Sequence, residues 1–169
     1  MKYNEARHKF IQSWGTLGSS WGISKTMAQV HAVLLLSSKP LNQDEIMDTL
    51  QISRGNASMS LKSLMEWQLI YKEFIPGERK EFYVAEKDAW RIATQVAQER
   101  SKRELMPVIH MLDQIKDVKD ATAMKSDVKE LQTVTSDILS FAKRSDKMLS
   151  AFVKAEKNTF FSRILKLFK

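Results

Sequence analysis

The chain has 169 residues, 43% of them apolar, with 27 Lys and Arg against 20 Asp and Glu for a formal net charge of +7; this is enough for one ordinary domain, or for a small domain with a helical extension. It contains no cysteine, which excludes disulfides, thiolate metal sites and cysteine nucleophiles together. The opening MKYNEARHKF lacks an apolar signal core, and no run approaches the roughly 18 apolar residues of a spanning helix, so the expected location is the cytoplasm.

In chain order, residues 3 to about 17 read as a first helix closed by the glycine-bearing stretch 15–22. GTLGSSWG has neither the Lys-Ser/Thr pair nor the preceding strand of a phosphate loop, and reads as a loop or helix cap. Ser24 can cap a second helix with Met27, Val30 and Leu34 inward, ended by Pro40. A third, short helix starts on a capping box in which Asn42 and Glu45 exchange hydrogen bonds, with Ile46 and Leu50 as its apolar pair. Gln51-Ile52-Ser53 makes a turn, with Ile52 as its buried plug and Ser53 as the next N-cap.

The fourth helix turns Ala57, Leu61, Leu64 and Met65 inward. Ala57 is small where the two helices cross. Gly55, Asn56, Ser58, Met59, Lys62 and Ser63 then form a small, polar, basic outer face. No carboxylate lies between Ser53 and Met65, as suits a helix approaching phosphates in a major groove about 12 Å wide. Residues 69–75 and 81–84 are rich in aromatic and β-branched types, and Pro76-Gly77 separates them with turn chemistry. They read as a hairpin that carries Arg79 and Lys80 just past its turn. Following a helix pair, such a hairpin is a wing that brings two cations to a sugar-phosphate edge or the minor groove; in isolation it would be a surface hairpin with solvated charges.

Beyond the hairpin, Asp88 is a candidate N-cap for a long helix carrying Trp90, Ala93, Val96 and Ala97. Pro107 should kink or restart it, after which Leu105, Val108, Leu112 and Ile115 continue an apolar stripe. From Leu131 the pattern becomes a near-heptad seam of Leu131, Val134, Ile138, Phe141, Ser145, Met148 and Phe152. A seam of this kind needs a partner, either the chain's own long helix or a second copy. The tail NTFFSRILKLFK is basic and amphipathic, fitted to dock on the same assembly or to rest on anionic lipid.

Residues 21 to about 107, above all VLLLSSKPLNQDEIMDTLQISRGNASMSLKSLMEWQLIYK, resemble the MarR-type winged helix-turn-helix transcriptional regulators, nearest to the glycine-betaine-repressor (GbsR-like) subfamily. The likeness rests on the LLLS-x-x-P-L lead-in, the ISRGN-x-S opening of the recognition helix and the W-x-L-I strand start. It implies a homodimeric transcription factor whose second helix-turn-helix helix reads the major groove; repression by occluding a promoter is the expected mode of action. Matched position by position, it implies that Ser53, Arg54, Asn56, Ser58 and Lys62 lie on the recognition helix and that Arg79 is the basic wing residue. It also implies an interleaved helical dimerisation layer and a ligand-responsive function.

The expected architecture is mainly α with a small β-wing. A winged helix-turn-helix DNA-binding domain occupies residues 1–86, and a helical dimerisation region ending in the amphipathic tail occupies 87–169. The expected partners are double-stranded DNA, a second copy and an optional small-molecule effector, without an obligatory membrane. Trp14, Trp21 and Trp90 are candidates to hold a quaternary ammonium by cation–π attraction, or else ordinary core. Local charge at Arg54, Lys62, Arg79 and Lys80 carries the DNA reading, because residues 41–86 hold five Lys/Arg and eight acids, a net of −3. No catalytic group, cofactor or metal is expected: His8, His31 and His110 lack ligand spacing, and capping accounts for Asp44 and Glu45. The alternative is a winged-helix protein-interaction module, tethered by its tail.

Overall fold

The computed structural model describes residues 1–156. The chain divides into two compact units, Met1–Gln95 and Val96–Lys169.

In the first unit, α1 (Tyr3–Ser20) runs through Gly15 and Gly18 instead of closing at them. The reason is the packing of α2 (Lys25–Leu35) against α1. A Cβ on Gly18 would stand 2.5 Å from Ala28 Cβ, and one on Gly15 2.8 Å from Gln29 Cγ. The glycines therefore let two helix backbones approach. The chain reverses only afterwards, where Gly22 takes φ +75°.

Helix α2 is the centre of this unit, packed against α1, α3 (Gln43–Leu50), α4 (Arg54–Glu66) and β3 (Phe82–Ala85). Met27, Ala28, Val30, His31, Ala32, Val33 and Leu34 are all buried, a wider face than the single expected stripe. Ser24 holds the N-cap position, but its side chain makes no cap bond. At the other end the Lys87 ammonium donates to the carbonyls of Leu34 and Ser37, each at 2.9 Å, and to that of Leu35. A cation at a helix C-terminus satisfies orphan carbonyls and complements the dipole.

Three antiparallel strands complete the unit in the order β1-β3-β2, with β1 at Leu41–Asn42 and β2 at Ile70–Glu73. Leu41 pairs with Tyr83 and Asn42 with Phe82; on the other side Ile70 pairs with Ala85 and Glu73 with Phe82. The hairpin was expected, whereas β1 was not, since two residues carry no readable alternation.

Asp88 caps α5 (Ala89–Arg100) as expected, its Oδ1 accepting from the N–H groups of Trp90 and Arg91 at 2.9 and 3.0 Å. The helix then passes through a π turn at Ser101–Leu105 into α6 (Met106–Ile115). The Met106 N–H donates to the Ser101 carbonyl. Pro107 has no N–H to offer, and the wider turn just before it accommodates that loss.

Helix α7 (Lys125–Glu156) packs on α6 through a core of Ile109, Leu112, Leu139 and Ala142, joined by Leu105 and Met106. This differs from the expected stripe on α6 and, on α7, from the intrachain alternative for the seam. On α6, Ile109 and Leu112 are buried while Val108 and Ile115 are exposed. On α7 the buried residues are Thr135, Leu139, Ala142 and Val153, and the heptad seam faces outward, with Phe141 72% and Met148 74% exposed. The tail NTFFSRILKLFK lies outside the described residues. Among the described residues no helix is long and apolar enough to cross a membrane.

Candidate nucleic-acid interface

The helix-turn-helix is assembled by local hydrogen bonds that the sequence states openly. Asn42 Oδ1 accepts from the Glu45 N–H at 3.1 Å, and Glu45 Oε2 accepts from the Asn42 N–H at 2.9 Å; this is the expected reciprocal box. Gln51 ends α3 in the left-handed region at φ 53°, a conformation usually left to glycine. Its side-chain amide donates to the Asp48 carbonyl at 2.7 Å. Ile52 is half-buried, less enclosed than the plug expected of it. Ser53 caps α4 by accepting from the Asn56 N–H at 3.3 Å. Gln43 adds a bond that no spacing rule announces, donating from Nε2 to the Arg54 carbonyl at 3.1 Å.

Inside α4, Ala57, Ser60, Leu61 and Leu64 are buried, while Arg54, Gly55, Asn56, Ser58, Met59 and Lys62 are exposed. Ser53 is exposed at the head of the same helix, and Arg79 and Lys80 are exposed in the wing. A Cβ on Gly55 would meet nothing within 4 Å. The fold itself therefore does not require glycine there. Gly55→Ala is expected to leave the fold intact, or to stabilise it by up to about 1 kcal/mol through helix propensity, while weakening any partner that approaches the backbone closely. Thermal melting and a duplex titration on the same variant separate the two effects.

The electrostatics contain a contact that sequence reading missed. Asp44 was read only as part of a capped helix, yet its Oδ1 accepts from Arg54 Nη2 at 3.1 Å and its Oδ2 from Lys80 Nζ at 2.9 Å. Those partners lie 10 and 36 residues away, beyond any pattern visible in one chain. The hydrogen bond and charge of Lys80, joined by Arg54, hold the Asp44 carboxyl below its ordinary range; Asp44 in turn holds Lys80 above its own. Other acids of the unit are similarly engaged. Glu45 pairs with Lys39 at 3.0 Å, Glu86 with Arg91 at 3.4 Å, and Glu81 takes Lys72 together with the Tyr83 hydroxyl. Partial burial and the Glu81 contact push the Tyr83 phenol up to about 12. Lys62 and Arg79 have no ion pair or hydrogen bond from their side chains among the described residues.

Of the three tryptophans considered for a ligand, Trp14 stacks on Phe10 at 5.3 Å between centroids and donates its indole N–H to His31 Nδ1 at 3.4 Å. Trp21 is 50% and Trp90 38% exposed. A cavity of about 190 Å³ lies in the second unit, bordered by Ser101, Met106, Asp146 and Leu149. No aromatic residue lines it.

A helical core, a capped helix-turn-helix and a following hairpin that carries Arg79 and Lys80 define a winged helix-turn-helix protein. No family model matches the chain. Over 126 residues, 75% of this chain and 69% of the relative, it is 24% identical to the HTH-type transcriptional repressor GbsR of Bacillus subtilis (strain 168). Among solved structures, a crystal structure of a transcriptional regulator matches with a TM-score of 0.58 and 12% identity, over 88% of this chain and 99% of that one. In fold the chain is a winged-helix protein similar to the MarR-type regulators. A Staphylococcus aureus MepR–DNA complex also matches, over 83% of this chain and 98% of that one, at 16% identity and a TM-score of 0.39; at that score the overlap is too loose to build on.

Proposed function

We propose that this chain is a transcriptional regulator that binds duplex DNA in a sequence-specific way, acts as a homodimer and represses by occluding a promoter. The observation that carries this reading is the exposed face of α4, where Arg54, Asn56, Ser58 and Lys62 stand around an unconstrained Gly55 beside the wing cations Arg79 and Lys80. Similarity to a protein named a transcriptional repressor supports it. In this reading residues 1–86 bind DNA and the helices beyond them dimerise. Two recognition helices about 34–36 Å apart seat in successive major grooves on one face of the duplex. A small molecule held near Trp14, Trp21 or Trp90 would act by changing that separation.

Lys62→Ala and Arg79→Ala are each expected to weaken duplex binding without unfolding the protein, because neither side chain has an internal partner among the described residues to lose. Each lost phosphate contact reduces the slope of log K against log salt by about 0.9. Titrations at several salt concentrations check this; unchanged affinity and slope in both variants remove the DNA assignment of the face. Changes at Arg54 or Asn56 should instead alter base preference.

The second reading, a module that docks a protein through the same face, draws on Met59 and Phe74, which are 65% and 84% exposed. Met59 is flanked by Ser58, Lys62 and Ser63 and stands as a single apolar residue on a polar helix face, so the DNA reading is favoured. Retention of duplex binding in Met59→Ser separates the two.

A further inference from the structure

We propose that Asp44 is a specificity-determining residue that competes with DNA phosphate for Arg54 and Lys80, holding down non-specific binding. This rests on the duplex-DNA reading of the α4 face and deepens it.

The geometry is that of a phosphate substitute. One carboxylate reaches a cation at the start of the recognition helix with one oxygen and a cation of the wing with the other, at 3.1 and 2.9 Å. Asp44 is not needed for the capping box, which Asn42 and Glu45 complete by themselves. All three side chains are open to water, 42% for Asp44, 74% for Arg54 and 58% for Lys80. Exposed pairs of this kind are weak and exchange readily, so a duplex phosphate can displace the carboxylate. Among the described residues Lys62 and Arg79 stay unpaired, while Arg54 and Lys80 share one carboxylate that offsets one of their two charges.

The consequence differs between complexes. Binding to an arbitrary sequence consists of backbone contacts alone, and two of the available cations must first leave Asp44. At a chosen site Arg54 has a further option. Held through Nη2, its guanidinium keeps donors at Nε and Nη1 for a base edge, and Asp44 fixes its direction. The carboxylate thus taxes backbone binding while leaving base reading in place.

The test compares full-length wild type, Asp44→Asn and Asp48→Asn on an operator selected from random duplexes and on a scrambled duplex, across 50 to 200 mM salt. Asp48 is an exposed acid of the same helix, so its variant makes the same net charge change away from the two cations. Asp44→Asn is expected to steepen the salt slope on scrambled DNA by up to about 1.8, making its gain about tenfold larger at 50 than at 200 mM. Its gain on the operator should be smaller, so discrimination falls, while Asp48→Asn stays near wild type. Equal behaviour of the two variants overturns the proposal. So does an equal gain, or a joint loss, on both duplexes, since either means that Asp44 has no part in discrimination. Failure of wild type to bind any duplex overturns the DNA reading itself and is seen before the variants are compared.

Discussion

Replacing Ile138 and Phe141 together with glutamate is expected to convert the protein to monomers or aggregates and to lower operator affinity by about 10²–10⁴-fold, the advantage that linking two half-site contacts supplies. Both side chains belong to the outward seam of α7, 47% and 72% exposed. The contacts with α6 run through Leu139 and Ala142 on another face of the helix, so the intrachain core should survive the change. At 32 residues, α7 is about 48 Å long, and its seam carries six large apolar side chains. Sedimentation velocity and circular dichroism on the same sample separate dissociation from unfolding. A wild type that sediments as a stable monomer at micromolar concentration refutes the homodimer outright.

The second large effect is a loss of stability in mild acid. His31 is 3% exposed, its Nδ1 accepts from Trp14, and its Nε2 has no hydrogen-bond partner among the described residues. Accepting at Nδ1 places the proton of the neutral ring at Nε2. Burial first, and repulsion from Lys87 second, lower the imidazole from 6.5 to about 4. A depressed histidine means that the unfolded chain binds the extra proton first. The stabilising difference is therefore complete above about pH 6.5, declines as pH falls toward 4, and is gone below it. A shift of this size corresponds to about 3 kcal/mol. Urea unfolding between pH 7 and 5 should show about half of that decline, and His31→Gln should flatten it. An equally steep decline in the variant would assign the acid sensitivity to other groups.

Much of the first unit was legible because its signals are local. Asn42, Glu45, Ser53 and Asp88 announce helix starts through bonds that span two or three residues, and the α4 stripe repeats with the helical period. What escaped was set by contacts between distant segments. Gly15 and Gly18 look like a helix stop until α2 lies against them. Leu131 to Phe152 spells a clear seam, yet a periodic pattern states only that a face is apolar, and a shifted set of smaller residues, Thr135, Leu139 and Ala142, made the intrachain contact. Asp44 gave no signal at all, since an acid in the first turn of a helix is already explained by the dipole.

Helix α3 and helix α4 are tied to each other at the start of α4, by Gln43 on the Arg54 carbonyl and by the exposed Asp44–Arg54 pair, while Gln51 and Ser53 each close their own helix where the two meet across the turn. The Gln43 bond and the packing of α3 on α4 hold the pair together even when Asp44 releases Arg54. In the proposed dimeric DNA reading, a signal then finds no soft joint inside the reading head on which to act. The affinity of each head for its half-site is set by the head itself in that reading, and regulation acts on where the heads are carried. Mutations that abolish response to a signal should accordingly map to the helices that bear the heads, while mutations within the turn alter basal occupancy and leave the response ratio unchanged.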